Sequence, residues 1–376
     1  MVYLDNAATG GFKTSSVLEK ANIVMRYLCA NPGRSAHRLS LKGAEIVYEC
    51  RKLLADFTNC SPERVIFTKN CTEALNLAIF GTLKVGGHII TTVYEHNSVL
   101  RPLIFLKEKG LIELDIVHPT SSSPIENEIE SKLKPNTYLI VTTAVSNVTG
   151  EQLPIAQIGK IAKSKGIFYL VDGAQGGGHI NFDLKNQNIN MLALAGHKGL
   201  YGIMGSGVLV FDNFVTINPI IFGGTGNMSF SLNQPLSYPE SLEAGTLNLP
   251  AIACLSEGVK YISSNLANFA NHLVSYTKTV INAFAKIDAV KCFSAPNSCG
   301  IVAFSIDGIS SEDFADRLNK EFDIAVRGGF HCAPLMHKFL GTEQDGLVRA
   351  SFCVQNSSAE LDHLIRAVNI IAKNKN

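Results

Sequence analysis

The feature that most constrains this chain is a series of short, nearly continuous apolar runs that alternate with helix-like segments between residues ~60 and ~212. Tyr138-Leu139-Ile140-Val141-Thr142-Thr143 is apolar or β-branched throughout. A strand with one wet face alternates, whereas an unalternating run is buried on both faces. Residues 64–68, 88–93, 168–171 and 208–211 read as further strands. Residues 72–83, a stretch ending at Leu106, and 155–165 read as helices between them. The series predicts an α/β fold with a mostly parallel sheet covered on both faces.

Residues 212–248 are irregular and rich in Gly, Asn and Pro, which marks a functional loop. Helical stretches follow from Pro250 to about Ile262 and over 266–284. Strands at 290–294 and 301–306, a helix at 311–321 and a last helix from Ala359 describe a second, smaller α+β unit. A length of 376 residues suits two domains, and 46% hydrophobic with 17% charged residues suits packed cores. The net charge of +1 gives no case for a nucleic-acid partner or a membrane surface. The start Met1-Val2-Tyr3-Leu4-Asp5-Asn6 lacks a signal-peptide pattern. Nine scattered cysteines without a C-x-x-C pair argue against a zinc ribbon or redox dithiol. A cytoplasmic enzyme with reduced thiols is expected.

The chemistry-bearing residues cluster at predicted strand ends. Lys198 stands among glycines in Gly196-His197-Lys198-Gly199 and, taken alone, reads as a surface turn residue. Asp172, in Val171-Asp172-Gly173-Ala174-Gln175, ends a buried strand, where a carboxylate needs a cationic partner. A pyridinium nitrogen would be one. A lysine Schiff base with an acid at the ring nitrogen is what pyridoxal phosphate needs. Asn70-Cys71-Thr72-Glu73 follows a strand and opens a helix, which favours an anion; an ordinary Thr cap is the plainer reading. His96, in Glu95-His96-Asn97-Ser98, could stack on a flat ring or be a plain loop histidine. Arg327-Gly328-Gly329-Phe330-His331-Cys332-Ala333-Pro334 places a cysteine in a Gly-rich loop with Arg327 and His331 as candidate cations for a thiolate. Arg349 could hold a carboxylate by a bidentate fork, or form a surface ion pair.

In this order and spacing, these residues resemble the class V aminotransferase group of fold-type-I pyridoxal-phosphate enzymes. Leu4-Asp5-Asn6-Ala7-Ala8-Thr9, Asn31-Pro32 with His37, Ser146-Asn147, Gly150 and Glu243-Ala244-Gly245-Thr246 extend the match over nearly the whole chain. The similarity is strongest to Suf-type (group II) cysteine desulfurases and selenocysteine lyases. The His-Cys-Ala context of Cys332 favours that class over the group I enzymes with their longer, Ser-rich loop.

The resemblance implies an aspartate-aminotransferase-like fold. A large domain over 14–248 would carry a seven-stranded, mostly parallel sheet. A small domain over 249–376, with 1–13, would carry the cysteine loop. It implies Lys198 as the cofactor's covalent anchor, Asp172 at the ring nitrogen and Gln175 at the ring oxygen. His96 would stack on the ring and shuttle protons. Thr72 and His197 would bind the phosphate, with Cys71 beside them and Thr246 reaching the partner subunit's phosphate in a homodimer. Asn147 and Arg349 would hold the amino acid's carboxylate, with Ala8, His37 and Arg327 around the substrate. Cys332 would attack the substrate sulfur, so that L-cysteine becomes L-alanine and Cys332 a persulfide for a sulfur-acceptor protein. Selenocysteine lyase activity, a class V aminotransferase that does not use the thiol, and a non-catalytic scaffold are the alternative readings. Ala195 where many members have serine, Cys71 where threonine is frequent, and Gly10-Gly11-Phe12 where proline is usual are departures.

Overall fold

The computed structural model describes residues 1–33 and 35–373. Its strands are β1 (Val2–Tyr3), β2 (Val65–Thr68), β3 (Gly87–Thr92), β4 (Ile112–Val117), β5 (Thr137–Thr143), β6 (Phe168–Asp172), β7 (Met191–Ala195), β8 (Gly207–Phe211), β9 (Val290–Cys292), β10 (Ile301–Ile306), β11 (Ile324–Ala325) and β12 (Val348–Ser351). Its α-helices are α1 (Ser15–Tyr27), α2 (Arg38–Thr58), α3 (Cys71–Gly81), α4 (Asn97–Glu108), α5 (Ile125–Ser131), α6 (Ile155–Ser164), α7 (Leu184–Gln187), α8 (Leu249–Ser263), α9 (Leu266–Phe284), α10 (Ser311–Phe322), α11 (Pro334–Leu340) and α12 (Ser358–Lys373).

The seven-stranded sheet has the order β2-β8-β7-β6-β5-β3-β4. Strands β4, β3, β5, β6 and β7 pair in parallel, while β8 is antiparallel to both β7 and β2. Two reversals restore direction, so β2 points the same way as β7. The carboxyl ends of β2, β3, β5, β6 and β7 therefore open along one edge, where open α/β sheets bind ligands. Every residue of β5, β7 and β8 is buried, which is why they read as unalternating runs. β4 alternates Ile-Glu-Leu-Asp and lies at the sheet edge, half wetted. A search for buried runs passes over it. α1 and α2 likewise leave no clear apolar stripe in the sequence, because their charged faces dilute it. α2 nevertheless buries Ile46, Val47, Cys50, Leu54 and Ala55 in the main core.

The smaller sheet is antiparallel, in the order β12-β10-β9. Its core gathers Leu273, Phe284, Phe304, Phe314, Leu318 and Leu364. The amino terminus joins it: β1 pairs in parallel with β11, and Leu4 is buried in the same cluster. α8, expected with the smaller unit, packs Leu249, Ile252, Leu255, Val259 and Ile262 into the core of the large sheet. The irregular segment before it is anchored by a buried ion pair. Arg51 Nη2 donates to Glu243 Oε2 at 2.8 Å, and Glu243 Oε1 accepts from the Phe67 N–H at 2.7 Å. Among the described residues no helix is long and apolar enough to cross a membrane.

α8 also supports the turn that carries Lys198. A Cβ added at Gly258 would lie 2.0 Å from the Leu200 carbonyl oxygen, so the helix backbone touches that turn directly. Gly258→Ala is expected to destabilise the fold by about 1–3 kcal/mol, the usual cost of overpacking. A lowered urea midpoint at unchanged slope checks this, and an unchanged midpoint would mean that the helix and turn separate freely.

Candidate active site

Five strand ends converge on one cavity of about 220 Å³. Asn70, Cys71 and Thr72 follow β2, His96 and Ser98 follow β3, and Asn147 follows β5. Asp172 and Gln175 come from the end of β6, and His197 and Lys198 from the turn after β7. Ala7 and Ala8 reach in from the amino terminus, and Arg327, His331 and Arg349 from the smaller unit.

Asp172 is 3% exposed, and its Oδ1 accepts from the Ala174 N–H at 2.9 Å. The Cys71 thiol donates to the same oxygen at 3.5 Å. Burial pushes the Cys71 thiol well up, and the Asp172 charge adds to this, so Cys71 stays protonated. Burial lowers the proton affinity of Lys198, with Asp172 opposing. A lysine held towards its neutral amine is a better nucleophile. Gln175 is buried and its Nε2 donates to the Ala7 carbonyl at 2.9 Å. Burial drives His96 and His197 down to about 4, so both rings are neutral near pH 7. His197 Nδ1 lies 3.1 Å from Thr9 Oγ1.

The cap of α3 is Asn70, whose side chain accepts from the Glu73 N–H at 2.9 Å. The plainer reading, a Thr72 cap, is thereby corrected. Thr72 instead turns its hydroxyl to Ser98 Oγ at 2.8 Å, with the first N–H groups of the helix beside it. Gly10 accounts for one departure noted in the sequence. Its N–H donates to the His197 carbonyl at 2.9 Å, which a proline could not do.

One end of the cavity is built on Arg349, which is 1% exposed. Its Nη1 donates to the Asn147 carbonyl at 2.9 Å and its Nη2 to Asp5 Oδ1 at 3.1 Å. Its Nε and the Oδ1 of Asn147 are buried without a protein partner. Unpaired buried polar atoms are rare unless a ligand completes them.

Cys332 is exposed and stands at the rim. It lines an open depression of about 580 Å³ together with His96, Ser98, Arg101 and Phe105. Arg327 Nη2 lies 3.9 Å from its sulfur. His331, the other cation suggested by sequence, is not one. It is 2% exposed, its Nε2 donates to the Leu347 carbonyl at 3.0 Å, and burial together with Arg349 holds its proton affinity well below the usual range. Two further expected residues lie away from this cavity. His37 is exposed and caps α2, its Nδ1 accepting from the Ser40 N–H at 3.2 Å. Thr246 is exposed in a separate cavity of about 430 Å³ with Lys69 and Glu73. Sequence reasoning gave no role to Asn70, Ser98 or Asp5. The short spacing of Ser98 from His96 at a helix start was the available signal.

The model of the class-V aminotransferase family matches residues 2–364. A probable cysteine desulfurase of Methanothermobacter thermautotrophicus is 31% identical, covering 99% of this chain and 94% of the relative. A probable cysteine desulfurase of Pyrococcus abyssi is 33% identical over the same shares. Among solved structures, the apo cysteine desulfurase of Thermococcus onnurineus superposes with a TM-score of 0.92 at 32% identity, covering 99% of this chain and 95% of that one. The cysteine desulfurase CsdA of Escherichia coli gives 0.89 at 27% identity, covering 99% and 94%.

The chain belongs to the class-V aminotransferase family. Pyridoxal 5′-phosphate is the cofactor of that family, and the residues present fit it. An amine is available for its aldehyde, a buried carboxylate for its ring nitrogen, and a helix start with a hydroxyl for its phosphate.

Glu95, just behind the cavity, is fully buried; its Oε1 accepts from Thr92 Oγ1 at 2.5 Å and its Oε2 has no partner. Burial pushes it up to about 8; the Thr92 hydrogen bond opposes this and the Asp172 charge adds to it. The folded state therefore keeps a proton that the unfolded chain releases, so stability is full at low pH and falls as pH rises towards 8. In Glu95→Gln, which keeps the shape of the protonated acid, urea midpoints should decline less between roughly pH 5 and 8. Equal declines in both proteins would show that Glu95 ionises as freely folded as unfolded.

Proposed function

We propose that this protein is a pyridoxal-phosphate-dependent cysteine desulfurase that converts L-cysteine to L-alanine and receives the sulfur on Cys332. The observation that carries this reading is the placement of Cys332. It sits at the mouth of the Lys198–Asp172 cavity with Arg327 3.9 Å from its sulfur, in a chain similar over 99% of its length to proteins named cysteine desulfurases. An aminotransferase needs no thiol there.

When bound, the cofactor supplies an electron sink for the pair left at the amino acid's α-carbon. Lys198 would anchor it and move the α-proton, and Asp172 would hold the proton on its ring nitrogen. Gln175 would meet the ring oxygen, and Thr72, His197 and the α3 start would hold the phosphate, with Cys71 packed beside Asp172. Arg349, through its unpartnered Nε, and Asn147 orient the substrate carboxylate. Ala8 closes the cavity wall. The nucleophile is Cys332 as its thiolate, with the Arg327 guanidinium 3.9 Å from the sulfur. That thiolate attacks the substrate sulfur; the C–S bond breaks as the S–S bond forms, and the carbon keeps the electron pair and takes a proton. The sum is L-cysteine plus enzyme thiol to L-alanine plus enzyme persulfide. The exposed position of Cys332 supports onward transfer to a sulfur-acceptor protein.

A homodimer is part of this reading. Phe222, Phe230, Leu232 and Leu236 are 71%, 103%, 104% and 92% exposed, which is apolar surface that a second copy would cover. Thr246 and His37 would then serve the neighbouring site. The nine cysteines are free thiols, which supports a cytoplasmic location. We place the domain boundary after α8, because that helix shares the large core.

Intact mass after incubation with L-cysteine, with alanine measured alongside, tests the reading. A one-sulfur gain mapping to Cys332 with matching alanine is expected; neither product from cofactor-loaded protein would overturn it. Relative turnover of L-selenocysteine separates the lyase alternative. Cys332→Ala should lose the persulfide while keeping the cofactor, and normal desulfuration by that variant would rule out Cys332 as nucleophile. Lys198→Ala should lose the covalent cofactor absorbance, and its retention would place the anchor elsewhere.

A further inference from the structure

We infer that Cys71 is a positioning residue: its thiol reaches one oxygen of Asp172, where a hydroxyl would fall short, and leaves the other oxygen to the cofactor's ring nitrogen. The reaction it serves rests on the desulfurase reading; the contact between the two side chains does not.

Every atom in this contact has a single role. Cys71 opens α3 and is 7% exposed. Burial holds its thiol well above the ordinary range, and the Asp172 charge adds to this, so the sulfur keeps its proton. A carboxylate oxygen accepts, so the S–H donates to Asp172 Oδ1 at 3.5 Å. The Ala174 N–H donates to the same oxygen at 2.9 Å. That bond comes from the turn after Asp172 and, alone, leaves the carboxylate free to swivel. The thiol comes from a helix 101 residues away in the chain and fixes the carboxylate plane. Asp172 Oδ2 takes no protein hydrogen bond among the described residues and is not sealed in. In the cavity, Oδ2 is therefore the oxygen left for a ligand.

Sulfur suits this place better than oxygen. Cys71 packs with Leu75, Ala193 and Ala195 in an apolar cluster. A serine oxygen on the same Cβ is held by a shorter bond than sulfur. It would stand farther from Oδ1 than the 3.5 Å of the sulfur, past hydrogen-bond length and unpaired among apolar neighbours. A thiol reaches farther and tolerates apolar surroundings. It is also a weak donor, so it orients the carboxylate without neutralising it. The charge remains available at Oδ2, where the proton of a ring nitrogen would be held. The departure at position 71 noted in the sequence thus has a consequence in the cavity.

The test begins with infrared difference spectra of the full chain against Cys71→Ala, which isolate one S–H stretch among nine cysteines. They are taken with and without pyridoxal phosphate, so a variant that loads poorly is still scored. The band should lie below that of a free thiol, as for a hydrogen-bond donor. It should rise in Asp172→Asn, whose amide oxygen accepts more weakly than a carboxylate. With nitrogen-15 in the ring of the bound cofactor, the ring-nitrogen resonance should move in Cys71→Ala. The same variant should lower kcat for alanine about fivefold with KM within about twofold, since Arg349 and not Asp172 meets the substrate carboxylate. Cys71→Ser should resemble Cys71→Ala in resonance and rate, because its oxygen falls short. A band at the free-thiol frequency, a band indifferent to Asp172→Asn, an unmoved ring-nitrogen resonance, full recovery by Cys71→Ser, or a loss confined to thermal stability would overturn the role. A wild type that makes no alanine from L-cysteine would instead sink the desulfurase reading, with the contact still scored by the infrared band and the ring-nitrogen resonance.

Discussion

The carboxylate of Asp172, almost wholly buried at the end of β6, sets the terms for everything around it. An anion removed from water is costly unless a cation or several donors meet it. The parallel sheet meets that demand with strand ends: the Ala174 N–H and the Cys71 thiol donate to one carboxylate oxygen, and the Lys198 amine enters the same cavity from the turn after β7. The same anion adds to the raised proton affinity of Glu95 and Cys71. Those two groups are held towards their neutral forms.

The amino-terminal strap ties this centre to the smaller unit. Asp5 holds Arg349, and Ala7 donates its N–H to Ser351 Oγ at 2.9 Å. Further along, the Ala7 carbonyl accepts from Gln175, and Gly10 donates to the His197 carbonyl. Within a few residues the strap touches Arg349, Gln175 and the turn that carries Lys198.

The cysteine loop is stiff for a different reason. His331 and Cys332 both adopt left-handed backbone conformations, with φ of 49° and 58°. Such conformations cost energy and persist only where surrounding bonds over-determine them. The Gly329 N–H donates to Ser311 Oγ at 3.0 Å, Asn147 Nδ2 to the His331 carbonyl at 2.7 Å, and the Asn97 N–H to the Cys332 carbonyl at 2.7 Å. The loop is pinned from both units with its sulfur facing outward. Its local cation is Arg327, because the imidazole of His331 is spent on a backbone carbonyl.

Much of this was legible in the sequence. The buried strands announced themselves because a strand covered on both faces has no reason to alternate, and helix 266–284 was read to its ends because its apolar stripe is unbroken. Asp172, Lys198, Thr72 and His96 could be singled out because each follows a strand, and parallel topology carries such positions to one edge. What failed did so for physical reasons. β4 alternates because it is an edge strand, and α8 belongs to the large core although chain order places it beyond the irregular segment. Local sequence determines which backbone a segment prefers and which chemistry it can offer. Whether a histidine is charged depends on burial that the assembled fold decides, as with His331 beside Arg349, whereas the N–H partners of His37 and His96 come from Ser40 and Ser98, within three residues of each. Burial of that kind is decided only when segments far apart in the chain pack together.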